Sequence, residues 1–118
     1  LEEIQSQLSN NIVINKRVNE LEYRHYLGQA LIVVSTAIHE FQGLSMLEAV
    51  SAGVVPIVPD DLCYREQYAE EYRYTVGDSR ELAEKISDYL RTVPEVPDVS
   101  RWYNKAIIEA WYQLLKDF

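Results

Sequence analysis

The chain has 118 residues, 47% of them hydrophobic and 25% charged, which is the balance of one ordinary folded domain and excludes disorder. A formal net charge of -8 argues against a general nucleic-acid surface, which draws on clustered Lys and Arg. The lone Cys63 excludes a disulfide framework and a cysteine zinc cluster, and no apolar run approaches the ~20 residues of a membrane span, so a cytoplasmic setting without a membrane partner is expected.

Leu1, Ile4 and Leu8 share one helical face, and Ser9-Asn10-Asn11 breaks the pattern before the β-branched run Ile12-Val13-Ile14, which predicts helix then strand. With no initiating Met, these first residues read as the tail of a helix in a longer protein. Asn19 is a candidate N-cap for a helix carrying Leu21, Tyr23, Tyr26 and Leu27, with Glu22 in the capping-box position and Gly28 at its end. Leu31 to Val34 is apolar without alternation, as a strand covered on both faces would be.

A polar loop then leads through Gly43 into a helical run ending near Ala52, with Gly53 at the C-terminal cap position. Val54 to Val58 predicts a second buried strand, in which Pro56 fits only at an unpaired N–H or a strand start. Arg65 to Glu71 predicts a polar helical turn or two, and Tyr72 to Val76 a short edge strand. Asp78 or Ser79 can cap a helix carrying Leu82, Ile86, Tyr89 and Leu90. A long amphipathic helix is predicted over about 100–118. Strands alternating with helices predict βαβ units on a parallel sheet, hence a Rossmann-like three-layer α/β/α domain.

The stretch from Ser35 to Glu48 stands out for chemistry. A strand's carboxyl end meets a helix N-terminus there, the edge where open α/β sheets place ligands. Glu40 and Glu48 flank the turn with seven residues between them. Either carboxylate alone would more often be a capping or solvated residue; it is the pair around Gly43 that points to a ligand. Gly43 admits close approach of a phosphate to the backbone, where the amides of Gly43, Leu44 and Ser45 would point. The plain alternatives are an ordinary loop glycine and a capping Ser45.

His39 suits either a ligand hydroxyl or a loop-ordering role. The other histidine, His25, belongs to a different helix, so no paired-histidine metal site is expected. Asp60 and Asp61 read as a solvated turn, Glu66 as neutral between site and surface, and Cys63 as packing. The aromatics of the last helix read as groove-filling against this or a neighbouring domain.

The run His39-Glu-Phe-Gln-Gly-Leu-Ser-Met-Leu-Glu48-Ala, followed by Gly53-Val-Val-Pro-Ile-Val-Pro-Asp60, resembles the carboxyl-terminal domain of GT-B-fold retaining glycosyltransferases of family 4. In that family a Glu, seven residues, then Glu spans the turn that holds a nucleotide sugar. Phe41 stands one position early here, and the wider run through Tyr64-Arg65-Glu66 looks most like the branch containing the tRNA-queuosine mannosyltransferases, where Tyr-Pro-Glu is usual.

The resemblance implies that residues 1–118 are a single partial nucleotide-sugar-binding domain. Glu40 would be the catalytic-site carboxylate against the donor sugar, and Gly43 and Leu44 would hold the diphosphate. Glu48 would bind the ribose, with His39, Phe41 and Ser45 completing the donor-binding set. It implies no cofactor and no metal, GDP-mannose as the favoured donor, and tRNA as the acceptor of the complete protein. The family's amino-terminal acceptor domain and the first donor-domain strands, which bring an Arg and a Lys to the diphosphate, are absent from this sequence. The chain alone is therefore expected to bind donor weakly and transfer nothing. Competing readings are a glycosyltransferase of another donor and acceptor, a non-catalytic Rossmann-like interaction module, and, more remotely, an epimerase or phosphorylase of this architecture.

Overall fold

The computed structural model describes residues 10–37, 43–61 and 63–116. Among them, α1 spans Glu20–Gln29, β1 Ile32–Val34, α2 Leu44–Ser51, β2 Val55–Pro59 and α3 Tyr64–Gln67; a 3-10 turn at Glu70–Tyr72 leads to β3 at Arg73–Tyr74, then α4 at Ser79–Arg91 and α5 at Ser100–Lys116. The sheet is three-stranded in the order β1-β2-β3, and both pairings are parallel. This is the expected α/β, Rossmann-like arrangement, in which each parallel neighbour is reached through a helical crossover.

β2 is central, and every one of its residues is buried. Pro56 survives there for a geometric reason. Val55 N donates to Leu31 O on the β1 side, and successive strand amides point to opposite sides, so the missing N–H of Pro56 faces β3. The β3 ladder covers only Val58 and Pro59, and no hydrogen bond is lost.

The core joins Met46, Leu47 and Val50 of α2 to Val55 and Val58 of β2, to Tyr64, Tyr68 and Tyr72, and to Val99 before α5. α2 packs on β1, β2 and α5, while α4 packs on β2 and β3. Polar ties fix α4, where Tyr89 Oη and Lys85 Nζ both donate to the Glu71 carbonyl, and Tyr72 Oη donates to the carbonyl of Glu95 in the segment that follows α4.

The predicted caps form. Asn19 Oδ1 accepts from Glu22 N at 2.8 Å and Asp78 Oδ1 from Glu81 N at 3.0 Å. The strand expected at Ile12–Ile14 does not form. These residues join no ladder, and Val13 is 87% exposed. β-branched composition favours a strand only where a neighbour supplies pairing and cover, and β1 pairs with β2 alone among the described strands. α1 buries none of its residues, so its predicted apolar face lies on the surface. The helix predicted at the amino terminus falls outside the described residues.

Candidate functional site

The carboxyl ends of β1 and β2, the start of α2 and the start of α3 converge on one edge of the sheet. At its centre Gly43, the N-cap of α2, adopts φ 62° in the left-handed region, where residues bearing a Cβ are strained. It is also crowded. A Cβ there would lie 2.9 Å from Tyr64 Cε1 and 3.2 Å from both Cys63 Sγ and Gln67 Oε1. Glycine is thus demanded twice, by backbone conformation and by the packing of α3 against the turn. The sequence alone pointed only to backbone freedom toward a ligand.

From Gly43 the chain enters a regular helix, with Leu47 N donating to Gly43 O at 3.0 Å. The first-turn amides of a helix have no acceptor within it, and its dipole favours an anion at that end. Leu44 is half-buried against the core, Leu47 is fully buried and Ser45 is exposed. The apolar side of the turn therefore anchors it while Ser45 faces outward.

Glu48 is exposed, about 7.5 Å further along the axis at 1.5 Å per residue. It lines a cleft of about 330 Å³ with Arg24, Leu27 and Gly28 of α1, Ser51 and Ala52, and Tyr103 of α5. Tyr23 lies close enough that burial first, and then the negative charge of Glu48, push its phenol up from the ordinary range. Glu48 thus lies on the same helix that Gly43 caps but in different surroundings, an interhelical cleft rather than the buried helix end. His39, Glu40 and Phe41 lie outside the described residues, in the segment between the Ser35 and Gly43 ends of the turn.

Two clusters at this edge escaped the sequence reading. One is a buried hydroxyl network on Ser35. Its N donates to Ile57 O at 3.0 Å, its Oγ accepts from Ala37 N at 3.2 Å and lies 3.2 Å from Tyr64 Oη, and its carbonyl accepts from Tyr74 Oη at 2.8 Å. The other is ionic. Asp60 Oδ1 accepts from Arg65 Nε at 3.2 Å and from Arg73 Nη1. Asp60, expected to be a solvated turn residue, is instead a junction between the end of β2, α3 and β3. Glu66 is exposed and Cys63 packs against the core. The tyrosine partners of Ser35 come 29 and 39 residues later, a separation that no local spacing rule detects.

Among the described residues no three His, Cys, Asp or Glu side chains gather as they would around a metal ion. No described helix is long and apolar enough to cross a membrane.

A parallel α/β sheet with a glycine-initiated helix at its carboxyl edge is the Rossmann-like arrangement in which open sheets place their ligands. Residues 2–107 match the family model for glycosyl transferases group 1, and the chain belongs to that family. It is also 39% identical over 90 residues to the tRNA-queuosine alpha-mannosyltransferase of Drosophila melanogaster, a match that takes in 76% of this chain and 23% of that protein. The chain thus spans about a quarter of the length of that curated relative.

Proposed function

We propose that this chain is the donor nucleotide-sugar-binding portion of a retaining glycosyltransferase, which in its full-length form transfers mannose from GDP-mannose to queuosine-modified tRNA. The observation that carries the reading is the Gly43-initiated α2 at the carboxyl edge of the sheet, with Glu48 beyond it on an open cleft. The likeness to the Drosophila enzyme supports the choice of mannose and tRNA.

In this reading the Gly43 and Leu44 amides hold the diphosphate, and the α2 dipole favours its charge. Glu48 accepts hydrogen bonds from the ribose hydroxyls, and Glu40 faces the donor sugar with His39, Phe41 and Ser45 around it. As the diphosphate leaves, negative charge grows on its oxygens and an oxocarbenium-like sugar forms. Amides already fixed at the helix end stabilise the first without reorganising, and the Glu40 carboxylate stabilises the second. The acceptor domain lies in other parts of the protein.

Full-length protein incubated with radiolabelled GDP-mannose and queuosine-containing tRNA is expected to give a retained α-mannoside. Glu40→Gln is expected to lower kcat by about 100-fold while leaving the thermal midpoint in place. Transfer undiminished in Glu40→Gln would remove that carboxylate from the mechanism, and no transfer to tRNA would remove the acceptor assignment.

A further inference from the structure

Tyr64 touches both ends of the turn. Its hydroxyl lies 3.2 Å from Ser35 Oγ at the end of β1, and its ring edge sits against the Gly43 backbone, so that a Cβ on Gly43 would meet Cε1 at 2.9 Å. The side chain is 1% exposed, so solvent does not compete for either contact. Ser35 is itself held at both backbone groups, its N–H donating to the Ile57 carbonyl and its own carbonyl accepting from the Tyr74 hydroxyl. One rigid phenol therefore spans from the end of a strand fixed in the sheet to the N-cap residue of α2.

We infer that Tyr64 is a positioning residue for donor binding, one that sets the α2 amino terminus at a fixed place relative to the end of β1 so that the Gly43 and Leu44 amides meet the diphosphate together. This rests on the reading of that helix end as the diphosphate site. The ring and the hydroxyl have separate tasks. The ring packs against the left-handed Gly43, and the hydroxyl ties that support to Ser35. A rigid side chain with few rotatable bonds suits such a strut, because little is lost in ordering it. Preorganised donors bind a developing charge without first moving, so a strut that slackens lowers affinity even when the fold is intact.

The test uses the full-length protein titrated calorimetrically with GDP, UDP and ADP, alongside thermal unfolding. Tyr64→Phe keeps the ring against Gly43 and removes the tie to Ser35. It is expected to weaken the preferred nucleoside diphosphate about tenfold, at unchanged stoichiometry and with a thermal midpoint close to the parent's. Ser35→Ala removes the same tie from the other side together with the bond from Ala37 N, and the loss in the double variant should fall short of the sum of the two single losses, because both remove the Tyr64–Ser35 contact. Parental affinity in Tyr64→Phe, or losses that add in the double variant, would overturn the positioning role while leaving the site assignment intact. A parent that binds none of the three nucleotides would overturn the site assignment and this inference with it.

Discussion

At the scale of single residues, two positions carry more than their types suggest. Gly43 sits at φ 62° with Tyr64, Cys63 and Gln67 packed where a side chain would begin. Gly43→Ala should therefore cost about 2 kcal/mol or more, since left-handed strain and overlap act together. A denaturant midpoint equal to that of the parent would contradict this. Asp60 is the second. Burial disfavours its charge, but hydrogen bonds from Arg65 and Arg73 outweigh it and hold the carboxyl below the ordinary range. A depressed carboxyl contributes stability above its unfolded value of about 3.9, and that contribution is lost as pH falls through the lower folded value. The parent should thus lose thermal stability below about pH 4 more steeply than Asp60→Asn. Parallel pH profiles for the two proteins would show that the arginine pairing has no such effect.

At the scale of elements, what was legible in the sequence was what depends on neighbours in the chain. Asn19 and Asp78 announce α1 and α4 because a cap bonds to an amide three residues on. The unalternating Val54–Val58 run announces a strand covered on both faces, whereas Leu31–Val34 forms β1 as expected but leaves Leu31 and Val34 exposed at the edge of the described sheet. The Ile12–Ile14 run misled because strand formation needs a partner, which composition does not reveal. The two Glu residues around Gly43 were visible as a pattern, whereas Tyr64, Tyr74 and Arg73 were not, since only tertiary structure brings them to Ser35 and Asp60. Asp78→Ala should cost about 1 kcal/mol, as loss of a side-chain N-cap does, and α4 docks directly on β2 and β3. Global unfolding by denaturant should report that loss. Asn19→Ala should move the same midpoint less, because α1 buries none of its residues and can fray without exposing the core.

At the scale of the whole molecule, the division of one binding surface along α2 joins fold to function. In the proposed reading the helix end takes the phosphate, while Glu48 further along lines the cleft between α1, α2 and α5, and the sheet beneath holds both. The second half of α5 leaves Ile108, Trp111, Tyr112, Leu114 and Leu115 more than half exposed, a larger apolar face than a self-sufficient domain usually shows. The 118-residue chain on its own should accordingly sediment as concentration-dependent oligomers, and Trp111→Lys should shift it toward monomer. A parent chain that stays monomeric across the concentration range would contradict that expectation. The acidic balance of -8 argues against a general phosphate-backbone surface on this chain. The central claim, that the Gly43 end of α2 and Glu48 form one donor site, meets its most direct test in calorimetry of the full-length protein with GDP-mannose, compared with UDP- and ADP-sugars and with Glu48→Gln. The account predicts saturable heat with GDP-mannose, weakened about tenfold in Glu48→Gln by loss of a charge-assisted hydrogen bond; no heat from any of these donors would contradict it.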